Sequence, residues 1–145
     1  MGYLTNPRVR HFIRTIRSQC RKCNVRFVLS KGYQINALDG ERCLGIFEPP
    51  DHTAKYTSAA RGALKVATGG RRNSEWLFSL AHEYAHFLQW LSDDPVWRET
   101  DYYKLEEATE AQALEICREF KLPIPRRVLL RERKEYLRRL KAGTI

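Results

Sequence analysis

The feature that most constrains the fold is an amphipathic segment over residues 75–91. Its apolar side chains recur at helical spacing and share one face, which comprises Leu77, Leu80, Ala81, Tyr84, Leu88 and Leu91. The opposite face carries His82, His86 and Gln89. A helix with such a face must bury it against other elements, so this segment predicts a packed globular domain.

Hydrophobic periodicity and Gly or Pro punctuation define the other elements. Ser74 suits the N-cap of the central helix, and Asp93-Asp94-Pro95 ends that helix. Residues 51–62 are predicted as a loop. Further helices are predicted over residues 7–20, 103–120 and 127–141, and strands over residues 25–29, 43–47 and 63–67. The order of one helix, three strands and three helices predicts an α+β fold. The length of 145 residues, without a linker, indicates one domain over residues 1–145.

Composition excludes several classes of protein. The chain has no apolar run long enough to cross a bilayer and no secretory signal, so we expect a cytoplasmic protein without membrane contact. Its formal charge is +9, concentrated in two basic flanks, residues 1–31 and 121–145, around an acidic centre. The flanks are either solvated helix faces or surfaces that attract nucleic acid.

The sequence His82-Glu83-Tyr84-Ala85-His86 is an HExxH motif. On a helix, residues four apart lie on one face, so both imidazoles can bind one metal ion. Glu83 lies beside that face, where it can deprotonate a water activated by zinc and return the proton to the leaving amine. The alternative is a pair of structural histidines.

A catalytic zinc site usually takes three protein ligands, and the third is open at this stage. The candidates are a cysteine, an earlier histidine (His11 or His52) or a carboxylate of the next helix. Glu110 is favoured because it interrupts a largely apolar stripe and a buried carboxylate needs a partner. Glu107, beside that stripe, is a candidate to orient a histidine. Glu107 and Glu106 are the fallback ligands.

The segment Leu80–His86, followed by Glu107-Ala108-Thr109-Glu110-Ala111, resembles the ImmA/IrrE-type zinc metallopeptidases. The resemblance covers roughly residues 7–125. It implies a zincin-like fold, a minimal gluzincin site with Glu110 as third ligand, and a Zn²⁺ cofactor. Members of that family occur in bacteria, phages and mobile elements and act on repressors and regulators. Two departures are Tyr84-Ala85 within the motif, and Gln112 and Leu114 after it.

Other features have weaker implications. Tyr103 shares a face with Glu110 and is the first candidate to polarise the scissile carbonyl; the others are Tyr102, Tyr56 and His52. Residues 63–67 are the candidate edge strand for an extended substrate. Cys20 and Cys23 have zinc-knuckle spacing, but no second pair accompanies them, so reduced thiols are expected.

The leading hypothesis is therefore a zinc endopeptidase acting on a peptide or protein substrate, with a regulatory protein as its expected target. The alternative is a nucleic-acid-associated protein or protein-interaction module on the same scaffold, with a non-catalytic metal. Glu83 separates these hypotheses, because a purely structural zinc site has no need of a glutamate next to its first histidine.

Overall fold

The structure, a computed structural model, describes residues 5–53 and 61–143. Its first helix, α1 (Pro7–Lys22), begins where the Asn6 side chain accepts hydrogen bonds from the N–H groups of Arg8 and Val9. These bonds satisfy donors that have no partner within the helix. The helix buries one side, made of Val9, Phe12, Ile13, Ile16 and Cys20.

A three-stranded mixed sheet follows α1. It consists of β1 (Val25–Ser30), β4 (Gly45–Glu48) and β5 (Gly62–Ala67), in the order β1-β5-β4. The central strand, β5, pairs in parallel with β1 and antiparallel with β4. Between β1 and β4 lies a small antiparallel pair, β2 (Ile35–Asn36) and β3 (Arg42–Cys43), and a short helix, α2 (Pro50–Thr53), follows β4.

Three longer helices complete the described fold: α3 (Asn73–Leu91), α4 (Tyr102–Glu119) and α5 (Arg126–Lys141), with a 3-10 helix (Pro95–Arg98) between α3 and α4. Asp101 caps α4 by accepting a hydrogen bond from the Lys104 N–H. Of the helices described, none is long and apolar enough to cross a membrane.

The core lies between the sheet, α1, α3 and α4. Phe47 of β4 contacts an aromatic group on and after α3, formed by Phe87, Trp90 and Trp97. On the α1 side, Phe12 packs against Tyr84 and Phe120. The helix α3 is therefore held between the sheet and the N-terminal helix, which gives its residues a rigid frame.

The α+β prediction is confirmed, and each long helix begins and ends within two residues of its predicted position. The predicted strand over residues 43–47 is divided, since β3 ends at Cys43 and β4 begins at Gly45. Part of the predicted loop over residues 51–62 is helical, in α2, and residues 54–60 lie outside the described part of the chain.

Two local predictions were wrong. Ser74 lies inside α3 and does not cap it, because the helix begins at Asn73. Residues 63–67 do not form an edge strand, because β5 pairs with a strand on each side. Lys65 interrupts the apolar run of residues 63–67, so these residues gave no clear signal of a central strand.

Candidate metal centre

The helix α3 carries the HExxH residues into the interior of the protein. His82 is 9% exposed, whereas Glu83 and His86 are half-buried. The helix face that carries His82, His86 and Gln89 is also shielded from solvent, since Gln89 is only 1% exposed. Packing of α3 on α4 accounts for this burial, so every polar group at the contact needs a partner there.

Glu106 of α4 is the carboxylate that joins the two histidines. Its Oε2 atom lies 2.9 Å from His82 Nε2 and 3.4 Å from His86 Nε2. These three side chains are the one group of candidate metal ligands found among the described residues, and their donor atoms lie within 4.8 Å of one another. Glu106 is 4% exposed, so solvent does not compensate its charge.

The spacing and the donor types fit zinc. Tetrahedral bonds of about 2.0–2.1 Å to nitrogen and oxygen put neighbouring ligand atoms roughly 3.3 Å apart. The distances from Glu106 Oε2 to the two Nε2 atoms, 2.9 and 3.4 Å, lie close to that value. Despite these short distances, Glu106 Oε2 is buried without a hydrogen bond of good geometry. An atom in that position suits a metal ligand better than a hydrogen-bond acceptor.

Glu110 orients the first histidine. Its Oε2 atom lies 2.7 Å from His82 Nδ1, and its side chain is 2% exposed. In the neutral form of His82 the carboxylate accepts the Nδ1 proton, which leaves the lone pair of Nε2 turned towards Glu106. This carboxylate–histidine arrangement is typical of metal sites.

A chain of hydrogen bonds orients the second histidine. The Thr109 hydroxyl donates to the Leu105 carbonyl at 2.8 Å, so its oxygen accepts from the Gln89 amide, 3.0 Å away. The Gln89 amide nitrogen also lies 3.2 Å from Gln112 Oε1. The remaining Gln89 oxygen, 3.2 Å from His86 Nδ1, must then accept the Nδ1 proton. The lone pair of His86 Nε2 is therefore available to a metal ion, as is that of His82 Nε2 in its neutral form.

Electrostatics couple these groups. Burial alone would lower the pKa of His82, but the close carboxylates of Glu106 and Glu110 outweigh burial and raise this pKa well above its ordinary value. Burial would raise the pKa of Glu106, but the contacts with His82 and His86 outweigh it and lower this pKa. The raised pKa favours protonation of His82, so a proton and a cation would compete for this side chain.

Glu83 lies between the sheet and the three candidate ligands His82, His86 and Glu106, called the triad below. Burial raises its pKa, an effect that the neighbouring histidines oppose and the carboxylates of Glu106 and Glu110 reinforce. On the sheet side, a Cβ atom built on Gly45 would lie 3.2 Å from both Cγ and Oε2 of Glu83. The bare backbone of β4 therefore makes room for this carboxylate, and sequence reasoning missed the role of Gly45.

Aromatic side chains flank the two histidines. The ring of Tyr136, from α5, meets the His82 ring edge to face at 5.5 Å between centroids. Trp97 approaches the His86 ring at 5.9 Å. Tyr102 is within hydrogen-bonding reach of both Glu106 and Tyr136. Burial raises the pKa of Tyr136, and the charges of Glu106 and Glu110 add to the effect, so its hydroxyl stays protonated beside the triad.

The sequence-predicted site residues are only partly brought together. His82, Glu83 and His86 converge as expected, but the carboxylate that meets both histidines is Glu106, whereas the favoured Glu110 contacts His82 Nδ1. Glu107 is exposed and does not orient a histidine, a position that Glu110 occupies instead. Glu106 was one of the two fallback ligands, and it lies one turn before Glu110 on α4.

Other candidates lie elsewhere. Tyr103 is half-buried and, among the described residues, has no hydrogen bond or ring contact to the triad, so Tyr136 and Tyr102 are the tyrosines nearest to it. His11 packs on Phe120 at 5.7 Å between ring centroids, away from the triad. The side chain of His52 and all of Tyr56 lie outside the described residues.

The four cysteines are free thiols, and within the described ranges they join no metal-ligand cluster. Burial raises the pKa of Cys20 and of Cys117 to about 12. Both thiols are therefore protonated near neutral pH in the metal-free protein. The zinc-knuckle spacing of Cys20 and Cys23 thus reflects a buried helix residue followed by the residue that caps α1.

Comparisons with protein-family models, with curated proteins and with solved structures found no match to this chain.

Proposed function

We propose that the protein is a zinc-dependent endopeptidase in which His82, His86 and Glu106 hold the metal. The observation that carries the proposal is the convergence of two Nε2 atoms on one buried carboxylate oxygen that lacks a hydrogen bond of good geometry. The position of Glu83 beside this group favours catalysis over a purely structural site. The motif's resemblance to ImmA/IrrE-type peptidases agrees with this function and suggests a regulatory protein as substrate.

Zinc bound there would polarise the scissile carbonyl and lower the pKa of the attacking water. Glu83 is the base for that water and then donates the proton to the leaving amine. Its raised pKa brings it closer to neutral pH, where a carboxylate can both take up and release a proton. The absence of a side chain at Gly45 leaves the Glu83 carboxylate uncrowded on the side of β4.

Tyr136 and Tyr102 are the proposed donors to the oxygen that gains negative charge during the reaction. A neutral hydroxyl close to the triad can donate a hydrogen bond to that oxygen and keep its own proton throughout the reaction. The Tyr136 ring packs on His82, and Tyr102 is within hydrogen-bonding reach of Glu106. This assignment replaces Tyr103, which has no hydrogen bond or ring contact with His82, His86 or Glu106 in the described structure.

The proposed substrate position is along β4. This strand pairs with β5 on one side only, among the described residues, and its first residue, Gly45, adjoins Glu83. An extended peptide could pair with the other side of β4 and bring its carbonyl towards His82. The edge-strand role expected of residues 63–67 therefore passes to residues 45–48.

The test combines metal analysis with a cleavage assay. Purified parent, Glu83→Gln and His86→Ala proteins are compared for zinc content and for cleavage of fluorescein-labelled casein and a randomised fluorogenic peptide library. We expect about one zinc per chain in the parent and in Glu83→Gln, and none in His86→Ala. Cleavage should be confined to the parent. Undiminished cleavage by Glu83→Gln would refute the mechanism.

A second candidate function is nucleic-acid association through α5, with the metal serving a structural role. The observation that favours it is exposure, because α5 buries no residue fully and presents Arg126, Arg127 and Arg131 to solvent. Binding to a duplex oligonucleotide that falls steeply with salt would support this role. If the purified protein contains zinc and binds the duplex but cleaves no peptide, nucleic-acid association replaces the peptidase as the proposed function.

A further inference from the structure

A groove lies between α1 and β1, at the edge of the sheet opposite the one that adjoins the candidate metal centre. It has a volume of about 320 Å³ and is lined by Arg10, Ile13, Arg14, Arg17 and Leu29. The metal centre adjoins β4, and β1 and β4 are the opposite edges of the sheet. The groove is therefore a separate feature, and no step of the proposed hydrolysis uses it.

Three arginines give the groove an uncompensated positive charge. Arg10, Arg14 and Arg17 follow one another at helical spacing, so they share one side of α1, and all three are exposed. None of them forms an ion pair with another described residue, and the first acid in the chain is Asp39. Like charges on one helix face are destabilising. An anionic partner would remove this repulsion.

The opposite wall of the groove is a strand with a free edge. In the described structure β1 pairs only with β5, so the backbone groups on its outer side have no strand partner. Phe27 and Leu29 are half-buried on the α1 side, and the Arg17 guanidinium lies 5.4 Å from the Phe27 ring centroid. An edge strand beside a helix, with apolar side chains between them, is the setting in which a peptide adds as an extra strand.

We propose that this groove binds an extended acidic peptide, which pairs with the free edge of β1 and directs alternate carboxylates to Arg10 and Arg14. Along α1 these two residues are separated by a rise of about 6 Å. Side chains on one face of an extended strand are about 6.6 Å apart, so an acidic–x–acidic pattern matches the arginine spacing. Arg17 lies only about 4.5 Å further along α1, short of the next 6.6 Å step, so the matched pattern comprises two acids.

The apolar floor favours a peptide over a nucleic-acid backbone. Ile13 and Leu29 line the groove between the arginines and offer no donor to a phosphate. They suit an aliphatic portion of a peptide side chain, with each carboxylate at the guanidinium above. The outer backbone groups of β1 also favour a peptide as the ligand, because only a peptide offers the regularly spaced amides that main-chain pairing needs.

The experiment uses the full chain as Glu83→Gln, so that a bound peptide is not cut. Three fluorescein-labelled probes are titrated at 0.15 M salt, an ionic strength near the physiological one. They are a decapeptide of alternating Glu and Val, the matching decapeptide of Lys and Val, and an oligothymidylate. We expect saturable binding of the Glu-Val peptide alone. Binding of the oligothymidylate in the groove, without binding of the peptide, would overturn the proposal.

A charge-reversal pair locates the binding. Arg10→Glu with Arg14→Glu should weaken binding of the Glu-Val peptide at least about tenfold, because two charge-assisted contacts become repulsive. The matched control, Arg126→Glu with Arg127→Glu on α5, changes the net charge equally and should alter affinity less than about twofold. If both variants lost affinity for the Glu-Val peptide equally, net charge alone would explain the loss, and a site in the groove would be refuted.

Hydrogen exchange tests the strand pairing independently of any substitution. The Glu-Val peptide should slow amide exchange in residues 25–30 of the Glu83→Gln protein, where the outer edge of β1 gains partners. Exchange in residues 45–48 should stay unchanged. Peptide binding without protection of β1 would contradict strand addition, and protection of β4 in its place would assign the peptide to the proposed catalytic cleft.

Discussion

Glu106 and Glu110 lie one helical turn apart on α4, and they contact different nitrogens of the same imidazole. Glu106 faces Nε2 of His82, whereas Glu110 accepts from Nδ1. The nitrogen that each carboxylate meets decides its role, since the protonated Nδ1 cannot bind metal and the lone pair on Nε2 can. Both carboxylates are buried, so burial alone does not distinguish a ligand from an orienting group.

This difference predicts unequal effects of two isosteric substitutions. Glu110→Gln should weaken zinc binding about 10–100-fold, as loss of an outer hydrogen bond to a ligand usually does. Glu106→Gln should weaken it further, because it removes a charged ligand. Competition with a chromophoric chelator measures both affinities. The opposite ranking would return Glu110 to the position of third ligand.

A second prediction at this scale concerns Tyr136. Tyr136→Phe keeps the ring on His82 but removes the hydroxyl, so zinc content and KM should change little. Loss of one transition-state hydrogen-bond donor typically lowers kcat by about 10²–10³-fold. The control, Tyr103→Phe, should leave kcat within about twofold of the parent, because Tyr103 does not contact the triad. Comparable rates for both variants and the parent would exclude Tyr136 from the reaction.

At the scale of elements, the site depends on three packing contacts of α3. The contact with α4 supplies Glu106, Glu110 and the hydrogen-bonded chain through Thr109. The contact with β4 supplies the space at Gly45. The contact with α5 supplies Tyr136, although α5 buries no residue fully, so this side of the site is the least firmly held.

The contact between α3 and β4 can be tested with a single methyl group. Gly45→Ala would bring a Cβ atom to 3.2 Å from Glu83 Cγ and Oε2, so the carboxylate must shift by a few tenths of an ångström. We expect about a tenfold loss of kcat with zinc content retained, since displacements of about 1 Å cost roughly a hundredfold.

Gly32→Ala is the matched control for this substitution. Its Cβ atom would lie 3.3 Å from Ser30 Oγ, a similar crowding far from Glu83, so peptidase activity should be unchanged. Equal loss of activity in both alanine variants would point to general destabilisation. Full activity of Gly45→Ala would show that Glu83 tolerates the shift and that the space at Gly45 has no catalytic importance.

At the scale of the whole molecule, the candidate metal centre joins side chains from α3 and α4. His82 and His86 belong to a helix held against the sheet and α1, whereas Glu106 belongs to a helix that follows a 3-10 turn. Without metal, the proton on His82 keeps three buried groups, His82, Glu106 and Glu110, electrically compatible. Metal binding must displace this proton, which links zinc affinity to pH.

The direction of that linkage follows from the raised pKa of His82. Because this pKa lies above the ordinary histidine value of about 6.5, protons compete with zinc at a higher pH than usual. Zinc affinity should fall about tenfold per pH unit below the pKa of His82, starting above pH 6.5. Chelator competition from about pH 5.5 to 8.5 measures the profile.

Glu110→Gln provides the control for the pH profile. It removes one of the contacts that raise the pKa of His82, so the fall in zinc affinity should begin at a lower pH than in the parent. A parent profile that is flat above pH 6.5, or one that Glu110→Gln does not move, would contradict the coupling of His82 to its carboxylate neighbours.

What the sequence determined by itself is local. The α+β order of elements, and the presence of two histidines and a glutamate on one helix, follow from periodicity and from spacings of a few residues. For the third ligand, the sequence favoured a carboxylate of one helix but left a cysteine, His11 and His52 open as well. These features need no knowledge of how the elements pack.

Tertiary packing decided the rest. Residues Glu106 and Glu110 differ by a rise of about 6 Å along one face, and only the crossing of α3 and α4 selects which of them meets the two Nε2 atoms. Strand order made β4 the edge beside Glu83, and the path of α5 brought Tyr136 to His82 from 54 positions away in the chain. Such contacts depend on the phase and the angle at which elements pack, and hydrophobic patterns along a chain record only which face is buried.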